Sequence, residues 1–255
     1  MSSVLTDPGP LSVTKRVRFL VLAADYDGTL ASDGVVDEST LSALRRFISS
    51  GRKLILVTGR HLPDLRQVFP HLDLFHRIVA ENGALLYRPD AKKEKLLSEP
   101  PPPAFLKALR EQGIPFEVGR GIVACREPHQ DVILKAIHDL GLELHVIFNK
   151  GAVMVLQSGI NKGTGLRAAL DELGISPHNV VGVGDAENDH ALLAACEVGV
   201  AVANALPTLK ERAELVMNGG HGEGVIELID QLLADDLEHY GPNLGHHRKA
   251  KARPL

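Results

Sequence analysis

Aromatic residues are scarce in this 255-residue chain: they make up 4%, with three tyrosines and no tryptophan. That excludes the ring platforms on which nucleic-acid bases stack. Cysteine is almost absent as well. Cys125 and Cys196 cannot build a disulfide framework, and neither stands in a paired zinc-ligand spacing. Residues 1–14 lack the positive-then-apolar order of an export signal, so the expected location is the cytoplasm. There is no basic excess: Lys plus Arg number 28 against 32 for Asp plus Glu, a net charge of −4. Nucleic acid and anionic membrane surfaces are therefore not expected as partners. No run is apolar enough to span a bilayer, which takes about 20 residues. The greasiest stretch, 191–206, is broken by Glu197, Gly199 and Asn204. Twelve histidines are present, yet none forms the His-x-x-x-His pair of a zinc protease.

What remains is 44% hydrophobic and 24% charged, ordinary for a soluble globular chain able to bury a core. At about 150 residues per domain the length corresponds to roughly 1.7 domains. Short apolar runs at 19–24 (FLVLAA), 54–57 (LILV), 78–80, 180–183 (VVGV) and 198–202 (VGVAV) do not alternate, as in strands buried on both faces. Between them, 38–50 carries Leu41, Leu44, Phe47 and Ile48 and ends at Gly51. Likewise 162–173 carries Leu166, Ala169, Leu170 and Leu173 and ends at Gly174. Both show the 3.6-residue period of an amphipathic helix with glycine past its last turn. The alternation predicts an α/β fold, a parallel sheet with helices on both faces.

The middle of the chain departs from this rhythm. A short strand at 84–87, a charged turn and four prolines at 100–103 precede a helix at 104–112. Strands at 116–118 and 122–125, a helix at 128–140, and strands at 144–148 and 152–156 follow, the last two joined by a hairpin turn at Asn149, Lys150 and Gly151. The expected division is an N-terminal tail at 1–16, core segments at 17–83 and 159–235, an inserted α+β module at 84–158, and a basic, aperiodic tail at 236–255 that reads as solvated.

Four clusters carry chemistry. Asp25, Asp27 and Gly28 follow the run at 19–24; residues two apart in an extended segment face one side, and glycine lets the backbone turn and approach a ligand. Alone, Asp-x-Asp-Gly reads more readily as a turn, and residues 25–36 lack the later ligands of a calcium loop. Thr58 and Gly59 follow the run at 54–57, offering a hydroxyl and an open N–H to an anionic oxygen. Lys162 opens a helix, where free N–H groups already favour an anion. Asp185, Asn188 and Asp189 follow the run at 180–183; Glu187 stands where a dinucleotide-binding fingerprint needs its third glycine. Each cluster alone has an ordinary structural explanation. Together, three at strand ends and one at a helix start, they converge on the sheet edge where α/β proteins place ligands. Hard carboxylate oxygens with few histidines or thiols suit Mg²⁺, which binds phosphate as well.

In this order, DYDGT, TGR, the lysine of INKG and GDAEND resemble the four motifs of the haloacid dehalogenase-like phosphohydrolases. GDxxND and the tripeptide Glu81-Asn82-Gly83 are similar to the Cof-like, type IIB branch, and an insert between the second and third motifs resembles its C2-type cap. At about 75 residues, 84–158 is similar to the caps of small phosphoglycolate and sugar-phosphate phosphatases. The resemblance implies a Rossmann-like core and a Mg²⁺-dependent phosphatase acting on a small phosphorylated metabolite. It makes Asp25 the nucleophile, Asp27 the acid and then the base, and Thr58, Gly59, Lys162 and Asn188 the phosphate-binding groups. It assigns Mg²⁺ to Asp25, Asp185, Asp189 and the backbone carbonyl of Asp27. His190 receives no role. Glu117, Arg120 and Arg126 fall in the insert, where nothing in the sequence separates reading a leaving group from being ordinary exposed charges. A phosphomutase on the same core and a receiver-type signalling domain are the alternatives; Asp27, placed to promote turnover, argues against the second.

Overall fold

The computed structural model describes residues 17–241 and 244. The tails at 1–16 and beyond Leu244, with the basic residues 246–253, lie outside the described residues. In chain order the strands are β1 Val21–Ala24, β2 Lys53–Val57, β3 Arg77–Ala80, β4 Leu85–Arg88, β5 Lys93–Leu96, β6 Phe116–Val118, β7 Ile122–Arg126, β8 Leu144–Asn149, β9 Ala152–Gln157, β10 Val180–Gly184, β11 Val198–Ala201 and β12 Leu215–Val216. The helices are α1 Glu38–Ser49, α2 Leu62–Val68, α3 Pro103–Glu111, α4 Gln130–Asp139, α5 Lys162–Leu173, α6 His190–Ala195, α7 Pro207–Lys210 and α8 His221–Asp235.

Eight strands form the larger sheet in the order β12-β11-β10-β1-β2-β3-β4-β5. It is parallel from β12 to β3, with β1 flanked by β10 and β2. All four residues of β1 are buried, so both faces of the sheet are covered, as an unalternating apolar run requires. Two helix pairs supply that cover, α1 with α8 and α5 with α6. Local capping fixes their ends: Asp37 accepts the Thr40 N–H at 2.6 Å to start α1, and Gly174 takes the left-handed conformation (φ 64°) that stops α5. The chain moves from β1 to β2 on one side and to β10 on the other. The crevice outside the carboxyl ends of β1 and β10 is therefore the switch point where such sheets bind ligands.

The hairpin at 85–96 differs from expectation. The sequence pattern assigns 84–87 to the insert, but β4 pairs antiparallel with β3, Val79 opposite Leu86, and β5 extends the larger sheet. Leu85 and Leu86 are buried in the main core, and that burial sets the pairing. β5 is a charged edge, Lys-Glu-Lys-Leu, which keeps other chains from adding to the sheet. A second, antiparallel sheet, β6-β7-β9-β8, packs on α3 and α4 around Phe105, Leu109, Ile133 and Val155. No helix among the described residues is long and apolar enough to cross a membrane.

Candidate active site

β1 delivers Asp25 to the switch point, where its N–H continues the ladder onto Val183 O at 3.0 Å. The next turn is closed by Tyr26 O, which accepts from the N–H groups of Leu30 (3.0 Å) and Ala31 (2.9 Å). Gly28 has φ +86°, and a Cβ there would land on the Asp185 carboxylate. Only glycine lets the backbone pass so close to that side chain. From β10, Asp185 and Asp189 meet across one turn: Asp189 Oδ2 accepts from the N–H groups of Asp185 (3.0 Å) and Ala186 (3.1 Å). Thr29 Oγ1 donates to Asp185 Oδ1 at 3.2 Å. α5 begins behind Asn161, whose side chain caps the Thr164 N–H at 3.0 Å, and so presents Lys162 inward from the first turn.

Lys162 is 1% exposed, and its Nζ donates to Asp25 Oδ1 at 2.5 Å and to Asp189 Oδ1 at 2.6 Å. Oxygens of Asp25, Asp185 and Asp189 all lie within 4.8 Å of one another, and all three residues are buried. Burial pushes the Asp25 carboxyl well above the usual carboxylate range; repulsion from Asp189 adds to this and Lys162 opposes it. Burial also raises Asp185, against the pull of Lys150. For Lys162, burial favours the neutral amine, but Asp189 and Asp25 outweigh it and hold the ammonium charged. Three buried carboxylates meet two ammonium groups, the buried Lys162 and the exposed Lys150, so the hard-oxygen set is still short of positive charge, and a divalent cation of the Mg²⁺ type fits it.

The remaining sequence-derived residues are arranged around this cluster. Asp27 lines the same cavity as Asp25, but its carboxylate lies outside the three-carboxylate group and is held by Arg60, Nε to Oδ2 and Nη2 to Oδ1, each at 2.7 Å. Thr58 is fully buried at the end of β2, its Oγ1 accepting the Arg60 N–H at 3.1 Å. Gly59 and Asn188 line the cavity. Asn188 Nδ2 donates to Asn82 Oδ1 at 3.1 Å, leaving Asn188 Oδ1 and Asn82 Nδ2 buried without partners among the described residues.

Two side chains here carry no warning in the sequence. Lys150, at the β8–β9 turn, crosses from the smaller sheet to pair with Asp185 Oδ2. Arg60 stands in the Thr-Gly-Arg triplet, but nothing in that spacing predicts its grip on Asp27, 33 residues away. The cavity between the two sheets measures about 640 Å³, with Asp25, Asp27, Gly59 and Asn188 on one side and residues of β7, β9 and the β8–β9 turn on the other.

Comparison with known proteins agrees with this geometry. The family model of the haloacid dehalogenase-like hydrolases matches residues 22–116 and 122–229. A phosphoglycolate phosphatase of Methanothermobacter thermautotrophicus is 30% identical over 226 residues, 83% of this chain and 98% of that protein. Phosphoglycolate phosphatase 2 of Saccharolobus solfataricus is 29% identical over 224 residues, 86% of this chain and 94% of its own length. Among solved structures, a putative HAD/COF-like hydrolase from Plasmodium vivax superposes with a TM-score of 0.74 at 21% identity, covering 86% of this chain and 97% of that one. A haloacid dehalogenase-like hydrolase from B. subtilis gives 0.71 at 18% identity, with coverages of 84% and 100%. These two share the fold. With a family model matching well over half its length, the chain belongs to the haloacid dehalogenase-like hydrolases.

Proposed function

We propose that this hydrolase is a Mg²⁺-dependent phosphatase that cleaves a small phosphate monoester, phosphoglycolate or a sugar phosphate, through an aspartyl-phosphate on Asp25. The observation that carries the reading is Lys162 bridging Asp25 and Asp189 at 2.5 and 2.6 Å beside Asp185, at the switch point of the sheet. The names of the relatives supply phosphoglycolate, and the insert expected at 84–158, less the hairpin at 85–96, is assigned the role of a cap, since its antiparallel sheet lines the cavity that Asp25 also lines.

Asp25 Oδ attacks phosphorus, and the ester oxygen leaves with a proton from Asp27. Water then attacks the aspartyl-phosphate, its proton returning to Asp27, and inorganic phosphate departs. One carboxylate must be ionised while the other is protonated, so the step needs two. Asp25, Asp185, Asp189 and the backbone carbonyl of Asp27 would hold Mg²⁺, which supplies the positive charge that keeps Asp25 ionised and neutralises phosphoryl oxygens. Lys162 meets the same oxygens, together with Thr58, the Gly59 N–H and Asn188. Asp27 must leave Arg60 for part of each cycle, and Arg60 returns it to a fixed position.

A phosphate-release screen over phosphoglycolate, sugar phosphates and nucleotides with Mg²⁺ tests the proposal, with Asp25→Asn as control. Release by the wild type and none by the variant is the expected result. An isomerised sugar phosphate without phosphate release identifies a mutase instead, and equal release by Asp25→Asn removes the nucleophile.

A further inference from the structure

The wall of the cavity opposite the acidic cluster carries cations of its own. Along β7 the side chains alternate: Val123 and Cys125 pack on the helices of the smaller layer, while Ile122 and Ala124 turn to the other face, with Met154 and Leu156 of β9. Arg126 continues the second series. It is exposed at the end of β7, in register with Ala152, and it lines the cavity with Ala124, Ala152 and Met154. Lys150 rises from the adjacent turn, for the Glu127 N–H donates to Gly151 O at 3.1 Å and ties the end of β7 to the β8–β9 loop. Two cations therefore stand on neighbouring backbone at one edge of the smaller sheet, facing the reaction site.

The other charges of this cavity are already matched. Asp27 and Asp64 are held by Arg60, Asp25 by Lys162, and Glu117 lies 3.9 Å from His61 Nε2. Arg126 has no ion pair or side-chain hydrogen bond among the described residues. Lys150 pairs with Asp185, a carboxylate that a bound divalent cation would also claim. Its flexible four-carbon stem can carry the ammonium from that oxygen to a nearby anion, and Arg126 offers a planar fork that fits a carboxylate or phosphate. A cavity of about 640 Å³ has space for a phosphoryl group and a small leaving group beside them.

We infer that Arg126 and Lys150 form an anion-reading edge, so the preferred substrate is a small phosphate monoester whose leaving group bears a negative charge of its own, a carboxylate or a second phosphate. The inference rests on the phosphatase reading and narrows its substrate class; a neutral sugar phosphate becomes a poor substrate.

The test compares phosphoglycolate, ethylene glycol bisphosphate and the neutral 2-hydroxyethyl phosphate. For the wild type, kcat/KM for one or both anionic esters exceeds that for the neutral ester by about tenfold or more, the scale of a charge-assisted contact, and the better of the two identifies carboxylate or phosphate. Arg126→Met raises KM for that ester by about tenfold and changes kcat/KM for 2-hydroxyethyl phosphate by less than about threefold, Arg126→Lys recovers part of the loss, and Lys150→Met, which also frees Asp185, weakens the anionic ester more than the neutral one. Calorimetric binding of the same compounds to Asp25→Asn gives a readout without turnover, and adding Arg126→Met abolishes the preference for the anionic esters. If none of the three esters is hydrolysed but the binding preference holds, the phosphatase reading falls and the anion-reading edge stands. If all three are hydrolysed with equal kcat/KM, or if both variants weaken charged and neutral esters alike, the edge is overturned and the phosphatase reading stands.

Discussion

Arg60 clasps both carboxylate oxygens of Asp27, each at 2.7 Å, while a third nitrogen reaches Asp64 at 2.6 Å. A bidentate pair of this kind fixes orientation as well as charge. The Asp27 hydrogen bonds hold the Arg60 guanidinium protonated, and its face lies over the Tyr26 ring, 5.5 Å from the centroid. Arg60 is thus a positioning residue for the proposed acid and base. Arg60→Gln is expected to lower kcat by about tenfold with a smaller change in KM, because misplacing a proton donor affects the transition state more than substrate binding. Steady-state kinetics on the wild type's best ester checks this. A rise in KM alone would instead assign Arg60 to substrate binding.

Lys162 is the ammonium shared by Asp25 and Asp189, and all three are buried. Removing one partner of a buried charge pair leaves the others uncompensated, at a typical cost of about 3–5 kcal/mol. Lys162→Met is therefore expected to melt roughly 6–20 °C below the wild type in chelator, at about 2–4 °C per kcal/mol for a chain of this size. Calorimetry measures the difference. A fall of less than about 2 °C would mean that the three carboxylates are not ionised together.

How much of this was legible in the sequence follows from what each feature depends on. Asp25, Thr58 and Asp185 each follow an apolar strand, and Lys162 follows a capping asparagine, so their placement depends on local pattern. Parallel strands bring such ends to one edge whatever lies between them. Lys150 and Asp185 are 35 residues apart and meet only because the β8–β9 turn folds over the larger sheet. No periodicity in either segment encodes that docking. The hairpin at 85–96 escaped for a related reason. β5 reads Lys-Glu-Lys-Leu and is mostly exposed, so it lacks the burial signature of a strand, and its membership of the larger sheet comes from β4 pairing with β3.

The clustered oxygens of Asp25, Asp185 and Asp189 predict a stability response to Mg²⁺. A ligand bound only by the native state stabilises by about 2.7 kcal/mol at one hundred times its Kd. That corresponds to a rise of about 5–10 °C in melting temperature for a chain of this size. Asp185→Asn removes one oxygen donor, and the Mg²⁺-dependent rise is expected to shrink to less than half. Thermal melts with Mg²⁺ or with chelator, on both proteins, measure it. An undiminished rise in the variant would place the ion elsewhere.

Glu81 provides a pH-dependent clasp between the sheets. It is 1% exposed with φ +51°, its Oε2 accepts the Gly121 N–H at 2.8 Å, and its Oε1 lies 3.7 Å from His61 Nδ1. The turn at 119–121 comes so near that a Cβ on Gly119 would stand 2.5 Å from His61 Nδ1 and 2.6 Å from Glu81 Oε2. The neighbouring Glu81 carboxylate raises the His61 pKa above 6.5, against burial. Burial alone would raise Glu81, but His61 and the N–H groups of Gly121 and Arg120 bring it below 4.5. A raised histidine gives stability that is complete below its unfolded value and lost as pH rises through the folded one. A depressed carboxyl gives stability present above its unfolded value and lost as pH falls through the folded one. The clasp is therefore strongest between pH 4.5 and 6.5, the two unfolded references, and fades toward alkaline pH as His61 loses its proton. Glu81→Gln, which keeps the shape and removes the charge, is expected to lower the melting temperature by several degrees in that window, on the scale of about 1.5–3 kcal/mol for a charge-assisted hydrogen bond. The gap narrows as pH rises, and the Gly121 amide exchanges hydrogen faster in the variant at acidic pH. A gap of constant size across the pH range would show that His61 and Glu81 do not act as a charged pair.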